Sequence, residues 1–267
     1  ASRSRVLAEG ANSKEKEPEG VPIPIPGRKP NLLTQKTRII VIDPGHGGID
    51  PGAISKSHIF EKHVVMAAAK AFKRRLERDG KYKVVLTRNK DIFVRLRERI
   101  SIARKNNADL FISLHADAIK SKKVRGMSVY TLSKKASSKE AAALAEKENK
   151  SDLIAGVDGT EPLDVTKILI DLAQRRSKNE SSRFAKLLVG ELKNVGKMLP
   201  KSQRSAGFAV LKSPDITSVL IELGYLSNSR DANALLNNHH RAKLANALFN
   251  AVDSYCSDPT DPCSGLN

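Results

Sequence analysis

Short apolar runs alternate with longer amphipathic stretches along most of this 267-residue chain. Five of the runs predict strands, because each is brief and rich in Ile, Val and Leu. They are TRIIVID, KVVLTR, DLFISLHAD, GMSVYTLS and SVLIELGYLSN, in that order along the chain. Helical spacing of apolar positions predicts helices at 61–78, 93–105 and 231–256. This alternation predicts an α/β domain with a mainly parallel, twisted sheet flanked by helices.

Three segments depart from this alternation. Residues 1–36 combine KEKEPEG with the proline-rich VPIPIPGRKP, which predicts an extended linker. Residues 134–204 form a long, highly charged stretch that we interpret as a helical insertion within a domain at 37–255. Residues 256–267 form a tail that contains both cysteines, Cys256 and Cys263. Whether these two form a disulfide, as an oxidising compartment would permit, stays open.

The net charge of +18 suggests an anionic partner, such as nucleic acid, a lipid surface or an acidic wall polymer. A solvated basic surface is the plainer alternative, because the charge is spread along the chain. Aromatic residues make up only 4% and no recognition motif for bases is present, so we expect no nucleic-acid partner. No run of 18 or more apolar residues occurs, so we expect no membrane span. The N-terminus lacks a signal-peptide pattern, which leaves a cytosolic protein and an exported protein with its leader outside this chain as alternatives.

Two histidines follow apolar strands and are candidate metal ligands. His46 lies in the loop PGHGGIDPG after the first strand, and His115 ends the strand DLFISL. The carboxyl ends of parallel strands meet at one edge of a sheet, so the two imidazoles can converge. Glu61, at the start of the first helix, supplies a carboxylate for a catalytic zinc set, although it could equally favour the helix dipole. Asp43 and Asp117 are rival ligands or partners that orient the imidazoles.

Glu222 is a candidate proton carrier. It follows the apolar residues SVLI on a predicted strand, where burial would raise the pKa of its carboxyl group toward neutral pH. The alternative is a strand-end glutamate paired with Lys or Arg. The other histidines, His58, His63, His239 and His240, are predicted to lie on the surface.

Several stretches together resemble the zinc-dependent N-acetylmuramoyl-L-alanine amidases of the bacterial cell-division type. They are IVIDPGHGGIDPGA, the Glu61-Lys62 pair, TR followed by RLRER, ADLFISLHAD, and AGFAVLKSPDITSVLIELGYLSN. The resemblance implies one Zn²⁺ ion held by His46, Glu61 and His115, with Glu222 as the catalytic acid and base. It implies hydrolysis of the amide bond between N-acetylmuramic acid and L-alanine in peptidoglycan, for the separation of daughter cells.

The resemblance also gives the insertion a regulatory role. A helix at about 137–156 is expected to cover the zinc cleft until a partner with a LytM-type domain displaces it. A carboxylate of that helix would fill the open zinc position, with Glu148 as the first candidate and Asp152 as the second. The implied location is the periplasm, with the leader absent from this chain, and we expect a monomer.

Three other interpretations remain at this stage. A zinc peptidase or deacetylase could use the same ligands, and product analysis would separate it from an amidase. A catalytically silent wall-binding module would need no stoichiometric zinc. A nucleic-acid binder is suggested only by the high pI, and it would bind DNA with steep salt dependence.

Overall fold

The computed structural model describes residues 37–154, residue 156 and residues 167–258, with only the backbone described at 167–173. Its strands are β1 Arg38–Pro44, β2 Tyr82–Leu86, β3 Leu110–His115, β4 Met127–Leu132, β5 Met198–Ala206 and β6 Thr217–Glu222. Its helices are α1 Glu61–Glu77, α2 Leu96–Lys105, α3 Lys139–Asn149, α4 Ser151–Ile154, α5 Lys167–Leu192, α6 Ser229–Leu236 and α7 Asn238–Cys256. A short 3₁₀ helix spans Ala209–Leu211. The proposed linker, the middle of the proposed insertion and Cys263 lie outside the described residues.

The six strands form one sheet in the order β2-β1-β3-β6-β4-β5. Strands β2, β1, β3 and β6 are parallel, whereas β4 pairs antiparallel with β6 and parallel with β5. The predicted α/β architecture with a mainly parallel sheet is therefore confirmed. The carboxyl ends of β1, β3 and β6 lie side by side, which places the residues that follow them at one edge.

Helices cover both faces of the sheet. Alternate residues of β1 point to opposite faces, as the pleat requires, so Ile40 and Ile42 belong to one buried cluster and Val41 to another. The first cluster is closed by α1, α5, α6 and α7. The second is closed by α2, α3 and the 3₁₀ helix. Of the described helices, none is both long and apolar enough to cross a membrane.

The expectation of a wholly helical segment at 134–204 is wrong at its end. Residues Met198–Ala206 form β5, an outer strand of the sheet that pairs with β4. Its sequence MLPKSQRSA lacks apolar alternation because most of its residues are only partly buried at the sheet edge. Pro200, which cannot donate a ladder hydrogen bond, is tolerated there.

The closing helix is also different from the expectation, because it is two helices. Asn237 separates α6 from α7, and its side chain accepts a hydrogen bond from the backbone N–H of His240. An asparagine side chain in this role satisfies one of the unpaired donors at a helix N-terminus. The Asn-Asn pair in LLNNHH was the local signal of this break.

Candidate metal centre

The edge of the sheet brings four of the predicted residues together. His46 follows the end of β1, His115 ends β3, and Glu222 ends β6 directly beside it, in register with His115. Glu61 is the first residue of α1. The loop between β1 and α1 folds back so that the backbone N–H of Glu61 donates to the carbonyl oxygen of Ala53 at 2.9 Å.

Two imidazoles and two carboxylates face one point. Glu61 Oε1 lies 3.2 Å from both His46 Nε2 and His115 Nδ1. Glu148 Oε2, from α3, lies 3.4 Å from His46 Nε2 and 3.2 Å from His115 Nδ1. All four side chains are buried. The structure therefore brings His46, Glu61, His115 and the first regulatory candidate, Glu148, into one cluster.

Four of the ligand-atom separations in the cluster match those of a tetrahedral zinc site. With metal–ligand distances of about 2.0–2.1 Å, a tetrahedral zinc site has ligand atoms about 3.3–3.4 Å apart. The four separations above are 3.2, 3.4, 3.2 and 3.2 Å. His46 Nε2 and both carboxylate oxygens of Glu148 are buried without a hydrogen-bond partner among the residues that the structure describes. Such orphaned polar atoms are costly unless something else satisfies them, and His46, His115 and Glu148 form a group that could hold a metal ion.

A hydrogen bond on the side of the ring that faces away from the cluster orients the side chain of His46. Its Nδ1–H donates to Asp50 Oδ2 at 2.8 Å, since a carboxylate can only accept, and this leaves the Nε2 lone pair facing the cluster. Burial opposes ionisation of Asp50, but the hydrogen bond from His46 lowers the pKa of that carboxyl to about 2. An ionised carboxylate behind a histidine fixes the ring and raises its basicity as a ligand.

Glu61 is fixed by backbone donors. Ala53 N–H donates to Oε2 and Ala116 N–H donates to Oε1, both at 2.8 Å. Burial disfavours the charged form, but His46 and His115 hold the pKa of Glu61 well below its usual range. Glu61 is therefore a carboxylate held in place on both oxygens.

Two glycines let the backbone approach the cluster closely. A Cβ at Gly45 would lie 2.5 Å from Cε1 of the His115 ring. A Cβ at Gly52 would lie 2.6 Å from His46 Cδ2 and 2.8 Å from Glu61 Oε2, and Gly52 also has a positive φ of +67°. The glycine-rich loop is thus required by space at the site.

Glu222 lies beside the cluster in a setting that favours its neutral form. It is fully buried, its Oε2 accepts from the backbone N–H of Asp117 at 2.9 Å, and its Oε1 has no partner. Burial, followed by the nearby charges of Asp117, Glu61 and Glu148, raises the pKa of Glu222 well above its usual value. A carboxyl group tuned in this way can exchange a proton near neutral pH.

Helices α3 and α4, here called the covering helices, close the site. Lys147 forms an ion pair with Asp117, and the hydroxyl of Ser151 donates to Asp50 Oδ2 at 2.7 Å. The side chain of Asn149 donates to Gly207 O at 2.9 Å and accepts from Ala209 N–H at 2.7 Å. The cavity beneath them has a volume of about 10 Å³, about the room for one water molecule. The four side chains of the cluster are buried beneath these helices.

The remaining candidates have other positions. Asp152 is not in the cluster, because its Oδ1 accepts from Leu96 N–H at 3.0 Å at the start of α2. Asp43 is buried behind the site, where it pairs with Arg99 at 2.7 Å. His58, His63 and His239 are exposed and His240 is half-buried.

Four functional neighbours of the cluster were missed from the sequence: Asp50, Lys147, Asn149 and Ser151. Asp50 lies four residues after His46 in the same loop, and that short distance was the one available signal. The other three lie in the polar stretch KENKSD, where sequence alone does not show which side chains face the sheet.

Comparison with known proteins identifies the family. The N-acetylmuramoyl-L-alanine amidase family Amidase_3 matches residues 40–254. AmiA of Escherichia coli is 40% identical over 220 residues, 82% of this chain and 76% of that protein. AmiC of Escherichia coli is 38% identical over 221 residues, 82% of this chain but 53% of that protein, so the chain spans about half the length of that relative.

A solved structure has the same fold. The CwlD amidase from Clostridioides difficile, in complex with the GerS lipoprotein, is 25% identical with a TM-score of 0.58, covering 82% of this chain and 98% of that chain. The resemblance seen in the motifs is thereby confirmed at the level of sequence and fold. The chain belongs to the N-acetylmuramoyl-L-alanine amidase family Amidase_3.

Proposed function

We propose that this chain is a zinc-dependent amidase that cleaves the bond between N-acetylmuramic acid and L-alanine in peptidoglycan. The observation that carries the proposal is the buried convergence of His46, Glu61 and His115 within 3.2 Å contacts, in a chain of this family. His46 Nε2, with no hydrogen-bond partner, fits a metal ligand. One Zn²⁺ ion would be held by these three residues.

The residues around the cluster would have different roles in hydrolysis. A bound zinc ion supplies a Lewis acid and lowers the pKa of a coordinated water molecule. In its ionised form, Glu222 would accept the proton of the attacking water at Oε1 and would later deliver it to the amine of the departing L-alanine. Asp50 keeps the His46 ring in its orientation throughout. Without proton delivery by Glu222, the amine would be a poor leaving group.

We further propose that the covering helices keep the enzyme inactive. Glu148 occupies the position that water or substrate carbonyl would need, and the cavity below the helices is too small for a substrate. A partner protein, with a LytM-type domain as the resemblance suggests, would displace the helices. The CwlD amidase, which is solved in complex with the GerS lipoprotein, supports the idea that a catalytic domain of this fold can bind a protein partner.

The cellular role follows from the substrate. Peptidoglycan lies outside the cytoplasmic membrane, so we propose that the chain acts in the periplasm as a monomer, in the separation of daughter cells. The similarity to AmiA and AmiC supports this role.

The test combines metal analysis with product analysis. Purified protein should contain about one zinc per chain, and digestion of intact peptidoglycan with Glu148→Ala protein should release free L-alanine amino termini. Release of other amino termini, or of acetate, would instead assign a peptidase or a deacetylase. A protein without stoichiometric zinc would be a wall-binding module and would contradict the proposal. If Glu148→Ala is no more active than the unaltered chain without a partner, the blocking role of Glu148 is wrong.

A further inference from the structure

A basic groove lies between α1 and α7, far from the metal centre. It has a volume of about 510 Å³, within the range of pockets that hold ligands. Five cationic side chains line it and no acidic residue does. These cations are Lys70, Arg74, Arg75, Arg78 and Arg241. Nothing in the proposed hydrolytic mechanism uses them.

Three of the cations form a row along one helix. Lys70, Arg74 and Arg78 are spaced by four residues, which places them on one side of α1 and its last turn, about 6 Å apart along the helix axis. Like charges at this spacing repel one another and destabilise a helix. Arg74 and Arg78 also lie at the C-terminal end of α1, where the helix dipole favours cations. Binding of an anion would relieve the repulsion between the neighbouring cations.

The cations of the groove have no ion-pair partner among the side chains that the structure describes. Glu77, in the same turn of α1, pairs instead with Lys73 at 2.5 Å. The groove is consequently a local concentration of unbalanced positive charge.

Two of the arginines are held in position by neutral partners. Arg75 donates to Asn246 Oδ1 at 2.9 Å, and its guanidinium lies 3.4 Å from the centre of the Phe249 ring. Arg241 donates to the carbonyl oxygens of Leu235 and Leu236 at 2.9 and 2.6 Å. These contacts orient the two guanidinium groups while leaving their charge uncompensated. Arg75 and Arg241 are therefore fixed in position, whereas the row Lys70, Arg74 and Arg78 is exposed to solvent.

We propose that this groove binds a linear, phosphate-bearing polymer. Four of its five cations are arginine, whose planar fork matches phosphate oxygens in pairs. A row of charges extended along a helix suits a ligand whose charges repeat along its length. The apolar part of the lining consists only of alanines, so the groove offers no large side chain for insertion into a lipid bilayer.

Because the groove lies apart from the metal centre, binding of a polymer there would serve a function other than hydrolysis. Arg74 lies thirteen residues beyond Glu61 on α1, which is about 20 Å from the metal centre along the helix. A polymer held there would bind apart from the cavity at the metal centre, because the groove and that cavity share no lining residue. It would instead retain the domain on an anionic wall or envelope polymer while the cleft acts elsewhere.

The test compares matched charge reversals on opposite faces of the sheet. Arg74→Glu/Arg78→Glu changes the groove, and Lys105→Glu/Lys212→Glu changes the charge equally beside α2 and the 3₁₀ helix. All four residues are exposed, and none of them forms an ion pair with a side chain that the structure describes. Binding of long-chain inorganic polyphosphate to the purified full chain is measured by titration calorimetry at several salt concentrations. Thermal unfolding verifies folding, and Arg74→Gln/Arg78→Gln replaces the reversal if that variant does not fold.

We expect the groove variant to bind polyphosphate at least about tenfold more weakly, and the control less than about threefold, because only the groove charges contact the ligand directly. Equal weakening in both variants would mean diffuse attraction and would overturn the proposal. Equally tight binding of polyglutamate, which carries no phosphate, would also overturn the proposal. Groove-dependent binding of phosphatidylglycerol vesicles without binding of polyphosphate would overturn it as well. The measurement involves no hydrolysis, so its outcome is independent of the proposed amidase activity.

Discussion

Replacing Asn149 with alanine should activate the enzyme without a partner. Asn149 is the last residue of α3, next to Glu148, and its side chain joins the covering helices to the chain around the 3₁₀ helix. It donates to Gly207 O at 2.9 Å and accepts from Ala209 N–H at 2.7 Å. It makes no hydrogen bond to the proposed zinc ligands, so Asn149→Ala perturbs the cover and leaves the reacting groups intact.

The size of the effect follows from these two hydrogen bonds. Each contributes about 1 kcal/mol net, and both are partly buried, so water replaces them poorly while the cover is closed. When the cover opens, water satisfies both backbone groups, so the cost of about 2 kcal/mol falls on the closed state alone. Since about 1.4 kcal/mol is a tenfold change in an equilibrium constant, the open fraction should rise by about 30-fold. Activity should rise in proportion until the open state predominates.

The assay is release of soluble fragments from dye-labelled peptidoglycan by purified protein without a partner. Glu146→Ala is the matched control, because Glu146 lies on the same helix but is exposed and pairs only with Lys150. Zinc content should be equal in both variants and in the unaltered protein. If Asn149→Ala lowers the thermal stability but leaves the activity at the level of the Glu146→Ala control, the hydrogen bonds do not hold the site closed and the reasoning is refuted.

Three further predictions concern the site and its support. In the Glu148→Ala protein, the further change Glu222→Gln should lower peptidoglycan hydrolysis by about 10²–10⁴-fold with zinc content unchanged, and loss of zinc would mean that Glu222 is a ligand instead. Gly52→Ala should weaken zinc binding, measured by competition with a chelator. Gly80→Ala is the control, because Gly80 has a similar φ of +79° but nothing lies within 4 Å of its Cβ, so this change should cost only backbone strain. Asp43→Asn should lower the free energy of unfolding in urea by about 3–5 kcal/mol at pH 7, because it leaves Arg99 buried without its carboxylate. Burial raises the pKa of Asp43, but Arg99 outweighs burial and holds that pKa below 3.8 in the folded protein. The stability difference between the two proteins should therefore be fully present above pH 3.8. It should shrink as the pH falls through the lower pKa of the folded state.

The strands that carry the site were predictable because they are buried on both faces. Strands β3 and β6 are buried at every position, and such strands appear in the sequence as unbroken apolar runs. Their ends were therefore visible, and with them the positions of His115 and Glu222. The parallel topology then placed both residues at one edge.

The outer part of the sheet was not predictable in the same way. Strand β5 is mostly half-buried, so its residues need no apolar alternation, and Pro200 argued against a strand. The contacts of the covering helices were equally hidden. Helical spacing fixes which residues share a side of α3, but the partner surface is built by residues far away in the chain, such as Gly207 and Ala209.

The sequence does not distinguish the two glutamates of the cluster, Glu61 and Glu148, but their contacts in the structure do. Both lie on helices, and residue type alone makes either a plausible ligand. Glu61 receives backbone N–H donors on both oxygens, so it is held in place whether the covering helices are closed or open. Within the described part of the chain, Glu148 has no hydrogen-bond partner on either oxygen, and burial raises the pKa of its carboxyl group despite His115 and His46. Its charged form therefore depends on positive charge from neighbouring groups, such as Lys147. A fixed carboxylate suits a permanent ligand, whereas a carboxylate without supports of its own suits a group that must leave when the site opens.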